Sequence, residues 1–186
     1  MKTLLLVIIA ILTFSTAKAQ KQDPWTEYMT PNEVHKLLGE YAGAFDMEIT
    51  MWPGEGKEPA KVKVASNHQM ILGGRFLELR QTGKMMGMDY LSVSTFGYNT
   101  SGKSFDLITL NNMGTGTLSL TGTWNPEIKE ATVSGQMISP GSNKVIKIRQ
   151  VIHFQDKNTF TITNYDQSEG QQPQKTIEYK LTRKSA

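Results

Sequence analysis

Few residues in this chain have both the type and the spacing for chemistry. Ser66 precedes His68 by two positions, so on a strand the hydroxyl and the imidazole face the same way. A hydrolytic triad would also need a carboxylate; Asp89 and Asp106 are the candidates, and the spacing itself assembles nothing. Asp46 and Glu48 share a strand face, the pattern of an acid–base or calcium pair and equally of a solvated strand. His35, His68 and His153 come from distant segments, so a three-histidine metal site would need all three to converge. Haem needs one proximal histidine, and His153 or His68 is the candidate for it. Met85-Met86-Gly87-Met88 concentrates thioethers, which suit Cu(I) outside the cytoplasm and also serve as adaptable lining of an apolar pocket. Arg75 follows Gly73-Gly74 and sits among apolar residues. Its guanidinium either enters the interior to meet a ligand carboxylate or Glu78, or forms a structural ion pair.

Several chemistries are excluded outright. The chain has no cysteine, hence no disulfide, no cysteine-based metal site and no thiol nucleophile. It also lacks G-x-S-x-G, H-E-x-x-H and any phosphate-cradling glycine loop.

Its 186 residues, 38% hydrophobic and 20% charged, have the composition of one globular domain. The first nineteen residues stand apart. Met1-Lys2 is a short positive start, Leu4 to Phe14 is almost unbroken apolar sequence, and Ala17-Lys18-Ala19 is a small-x-small cleavage site. These features predict a signal peptide over 1–19, with export to the periplasm or medium and no stable membrane anchor after cleavage; the apolar run is short for a span. Removing Lys2 and Lys18 leaves 18 basic against 17 acidic residues, a net charge of +1. The four arginines, Arg75, Arg80, Arg149 and Arg183, are scattered, and the lysines alternate with apolar residues as on solvated strands. Nucleic-acid binding is therefore not expected.

After a polar leader over 20–29, Thr30-Pro31-Asn32-Glu33 reads as a helix start, with Thr30 as cap and Glu33 completing a capping box. Val34, Leu37, Leu38 and Tyr41 form one helical face, and Gly39 is the predicted stop. His35 lies beside that face as a surface or capping residue. From Tyr41 the period becomes two, and Phe45, Met47, Ile49 and Met51 alternate with polar residues. Strand patterns follow near 60–71, 75–82, 86–98, 103–112, 116–124, 128–139, 144–155, 158–167 and 174–183. Turn chemistry separates them, including Gly73-Gly74, Gly83-Lys84 and Asn125-Pro126. No second helix is long enough for a parallel crossover, so the sheet is antiparallel. About ten hairpin-linked strands leave exposed edges unless the sheet closes, which predicts an all-β up-and-down barrel over 30–184 with one short N-terminal helix.

Leu37-Leu38-Gly39-Glu40-Tyr41 resembles the entry strand of lipocalin-like (calycin) barrels, with Tyr41 in place of tryptophan. Leu72-Gly73-Gly74-Arg75-Phe76-Leu77-Glu78 is similar to the "LGGRFL" hallmark of the bacterial family called domain of unknown function 1579. Phe96-Gly97-Tyr98-Asn99, Asn111-Asn112-Met113-Gly114-Thr115 and Ile177 to Lys184 agree with its later blocks, with Asn99 and Asn111 where the family has aspartate. If a carboxylate at those places does chemistry in relatives, this chain lacks it. The resemblance implies a lipocalin-like barrel with no established activity.

A barrel of this size is filled by its own side chains or holds one small ligand. The leading expectation is a small, mostly apolar ligand in the interior, contacted by Met47, Met51, Arg75, Met88, Tyr90, Tyr98 and Trp124. The alternatives are an enzyme acting at the barrel mouth, and a structural or interaction barrel with a filled interior. No cofactor is expected, haem through His153 or His68 being the alternative.

Overall fold

A computed structural model describes residues 23–54 and 56–185. The expected signal peptide, 1–19, lies outside the described residues. Ten strands follow two short helices: α1 (Pro24–Met29), α2 (Glu33–Glu40), β1 (Gly43–Met51), β2 (Ala60–Ile71), β3 (Phe76–Met85), β4 (Met88–Asn99), β5 (Ser104–Asn111), β6 (Leu118–Asn125), β7 (Glu130–Ile138), β8 (Val145–Asp156), β9 (Thr159–Ser168) and β10 (Gln174–Arg183). Every strand pairs antiparallel with its sequence neighbours. β1 closes the barrel by pairing with both β2 (Gly43 opposite His68 to Met51 opposite Ala60) and β10 (Phe45 opposite Arg183 to Met51 opposite Ile177). Closure leaves no free edge, the outcome required of about ten hairpin-linked strands. Among the described residues, no helix is long and apolar enough to cross a membrane.

Two local expectations are corrected. Thr30 does not cap α2; its hydroxyl donates to the Thr26 carbonyl at 2.6 Å and ends α1, a helix inside the expected polar leader. The cap is Asn32, whose Oδ1 accepts from the Val34 N–H and whose own N–H donates to His35 Nδ1, each at 3.0 Å. Histidine thus takes the reciprocal part of the capping box that Glu33 was expected to play. The second correction concerns Gly83-Lys84, which is not a turn. β3 runs on to Met85, and the chain reverses at Met86-Gly87, where φ is 51° and 78°. Gly83 is glycine for proximity, because a Cβ there would lie 2.6 Å from Val64 Cγ1.

The alternating direction of the strands gives the barrel two distinct ends. The end nearer the helices is packed solid. Tyr41, Phe45, Phe96, Phe105, Phe154 and Phe160 are all at most 1% exposed, and Phe160 lies within 6.3 Å, ring to ring, of five other rings. The Tyr41 hydroxyl donates to the Asp156 carbonyl at 2.7 Å, fastening the end of α2 to the β8–β9 turn. Arg183 lies over the Phe45 ring at 4.6 Å and donates to the carbonyls of Glu40, Ala42 and Lys157, sealing the β1–β10 seam.

His68 belongs to this plug. It stacks on Phe45 at 4.4 Å between centroids, and its Nδ1 lies 2.9 Å from the Tyr41 carbonyl. A carbonyl only accepts, so Nδ1 carries the proton and Nε2 accepts from the Ser66 hydroxyl at 2.8 Å. Burial pushes the imidazole down from 6.5 to about 4, the Tyr41 hydrogen bond opposing and Arg183 adding to the shift.

Unfolded His68 protonates below pH 6.5 while the folded residue stays neutral to about pH 4. Its contribution is therefore complete above 6.5 and lost as pH falls to 4, a loss on the order of 3 kcal/mol. Urea unfolding at pH 7 and pH 4 should show that this part of the pH dependence is gone in His68→Asn, and an unchanged dependence refutes the assignment. Gly83→Ala should lower unfolding free energy by about 1–3 kcal/mol through its clash with Val64, measured in the same urea titration.

Candidate functional site

The opposite half of the barrel is open. A cavity of about 590 Å³ lies above the aromatic plug, with Phe96, Leu79, Leu107 and Ile162 low on its walls. The β5–β6 connection from Met113 to Thr117 and the β7–β8 hairpin at Met137, Ile138 and Pro140 form its mouth. The space exists because ring-bearing positions of the plug are replaced here, on the same inward faces, by short or slender side chains. On β4, Phe96 gives way to Ser94 and Ser92; on β5, Phe105 and Leu107 give way to Thr109 and Asn111; on β8, Gln150 stands between Ile148 and Ile152.

Among the described residues, no charged side chain lines this cavity. Its polar groups are neutral, and several are held by hydrogen bonds to one another or to the barrel wall. Ser94 Oγ and Thr109 Oγ1 are 2.9 Å apart, and the Ser92 hydroxyl donates to the Leu110 carbonyl at 3.1 Å. Gln150 Nε2 donates to Asn164 Oδ1 at 3.0 Å, and Asn164 Nδ2 donates in turn to Asp166 and Thr176 behind the lining. Tyr90 and Tyr179 bring phenols to the wall; burial raises both pKa values, and for Tyr179 the nearby Tyr90 and Asp166 raise it further. Both hydroxyls stay protonated. The arrangement presents neutral donors and acceptors around an apolar floor, and offers no ionised group as acid, base or counter-charge.

The residues expected to touch a ligand are dispersed. Met47 and Tyr90 line the cavity. Met51 packs against the core at the same end without lining it. Tyr98 packs edge-on to His35, and Trp124 is in the plug at 6.0 Å from Phe105 and 5.9 Å from Phe154. Met88 is an exposed rim residue opposite Met85. Of the suggested thioether cluster, Met85 packs against the core while Met86 is exposed in the turn.

Arg75 does not enter the barrel, and this corrects its expected placement. Leu72, Gly73 and Gly74 all adopt positive φ (50°, 68° and 80°), and the turn they make folds the guanidinium outside the barrel. There it donates to the carbonyls of Leu72, Gly73 and Met29 at 3.2, 3.3 and 2.5 Å, tying the β2–β3 turn to α1. Glu78 pairs with Arg80 at 2.7 Å instead. The two histidines considered for haem offer no ring nitrogen to the cavity: both of His68 are engaged, and His153, between the buried Ile152 and Phe154, faces outward. Among the described residues, no three His, Asp or Glu side chains gather as a metal site.

Sequence reasoning missed Gln81, Ser94, Thr109, Gln150 and Tyr179. A signal was present, in that each is a neutral polar residue or phenol on the apolar-alternating face of its strand.

No curated protein matches the chain. The solved structure of Rv2717c from M. tuberculosis is similar in fold, with a TM-score of 0.57 at 12% identity, covering 84% of this chain and 100% of that one. Looser likenesses join it to a redesigned beta barrel (TM-score 0.45, 11% identity, covering 80% of this chain and 95% of that one) and to EF1p2_mFAP2b bound to DFHBI (0.42, 11%, 78% and 94%). Residues 30–183 match the family model described as protein of unknown function DUF1579, which is also the family that the LGGRFL segment resembles, and the chain belongs to that family.

Proposed function

We propose that this is an exported protein, periplasmic or secreted, whose barrel binds one small, uncharged, largely apolar molecule. The observation that carries the reading is the 590 Å³ cavity with no charged lining residue above a solid aromatic plug. That volume falls in the usual range for small-molecule sites, and a site open at one end and stopped at the other admits a ligand without admitting passage. Charge selection follows from desolvation: an ion moved into this cavity would lose its hydration and meet no counter-charge. Exposed Met113, Met137 and Ile138 at the mouth give an apolar molecule a favourable approach. The export half of the reading is supported by the Leu4–Phe14 run and the Ala17-Lys18-Ala19 site.

Titration with 1-aminoanthracene should show saturable fluorescence at one site per chain. Leu118→Trp, which narrows the cavity from the β6 wall, should weaken that binding at least about tenfold while leaving the circular dichroism spectrum unchanged. Arg75→Ala should leave the affinity as it was and lower Tm, because Arg75 fastens α1 rather than a ligand. Dye binding indifferent to Leu118→Trp would place the site elsewhere. For export, intact mass of the secreted form should correspond to a chain beginning at Gln20; retention of residues 1–19 would contradict it.

A further inference from the structure

Gln81 sits in the middle of the β3 face that lines the cavity and is 5% exposed. Its Oε1 is buried and has no hydrogen-bond partner among the described residues. Buried amide oxygens are rarely left so, and the cost of an unmet acceptor makes the exception informative. The neighbouring hydroxyls do not relieve it. Gln81 stands directly between Ser66 on β2 and Ser92 on β4 in the strand register. The proton of Ser66 is held by His68 Nε2, since His68 Nδ1 gives its own proton to the Tyr41 carbonyl. The proton of Ser92 is held by the Leu110 carbonyl. Both flanking donors are therefore committed to the barrel wall. A rotation about the broad terminal torsion of the amide presents its carbonyl to the cavity that the side chain lines.

We propose that Gln81 is the polar anchor of the cavity, and that the ligand is an uncharged molecule carrying an O–H or N–H donor aimed at the Gln81 carbonyl. The inference rests on the cavity being a binding site and adds the chemical class that the site selects. An apolar body lies over Phe96 and Leu107 while the donor end meets Gln81, with the Tyr90 phenol on the adjoining strand. A ligand of the same shape without the donor leaves the acceptor unmet, the situation in which binding sites discriminate most strongly between near-isosteres.

Two probes of nearly equal shape test this: 2-naphthol, which has the donor, and 2-methoxynaphthalene, which lacks it. Calorimetric titration of the wild-type protein should give 2-naphthol at least about a tenfold tighter Kd. In Gln81→Met that ratio should fall to about one through weaker naphthol binding, with the methoxynaphthalene Kd unchanged. The unliganded Tm of Gln81→Met should be no lower than wild type, because the side chain removed makes no bond with its oxygen. Equal binding of the two probes by the wild type, a preference that survives in Gln81→Met, or an unliganded Tm lower by several degrees would each overturn the assignment. The first of these does not depend on the variant folding. If neither probe binds the wild type at millimolar concentration, the cavity reading itself fails, and this inference fails with it.

Discussion

A ten-strand barrel encloses more space than aliphatic side chains fill, so some part of it must be stopped by rings or left open. This chain does one at each end. Its inward-facing rings, Phe45, Phe96, Phe105, Phe154 and Phe160, together with Trp124 and the incoming Tyr41, meet in a single cluster beside the N-terminal helices. Edge-on and offset contacts among them suit aromatic quadrupoles, and their bulk bridges walls that Leu and Ile alone would not. Above that cluster the same faces carry Ser92, Ser94, Thr109, Gln81 and Gln150, and the walls stay apart.

The plug also explains why the polar side chains that attract notice in the sequence serve the fold. His68 is neutral and stacked within the cluster, with both nitrogens engaged. Arg75 and Arg183 donate to backbone carbonyls outside the barrel, one holding α1 to the β2–β3 turn and the other holding the β1–β10 seam. A guanidinium with five donors in a fixed fork suits that work, since several carbonyls left by ending helices and turns converge there. Both guanidinium groups therefore serve the helix end, and the described lining of the cavity is uncharged.

Much of the fold was legible because period-two alternation and turn residues carry most of the information about an antiparallel barrel. Ten strands and their closure follow from that pattern. The exceptions have local causes: Gly83 reads as a turn residue but is needed for the close approach of Val64, and Thr30 has a cap's chemistry but ends the preceding helix. The cavity was less legible. Trp124 and Tyr98 share the inward face with Ser92 and Thr109, and alternation says which face a residue is on without saying how deep it lies. Depth depends on the stagger of one strand against the next, set by pairings such as Gln81 with Ser92. Arg75 misled for a related reason, because the consecutive left-handed positions of Leu72 to Gly74 turn its backbone outward.

One half of the barrel is solid, and the other half is proposed to hold an uncharged molecule. A high-resolution crystal structure of the protein purified from the cells that make it tests this most directly. The six buried rings should be in contact, with density for a neutral molecule over Phe96 and a donor atom within hydrogen-bond distance of Gln81. An upper half closed by its own side chains, or a charged molecule bound there, would contradict it.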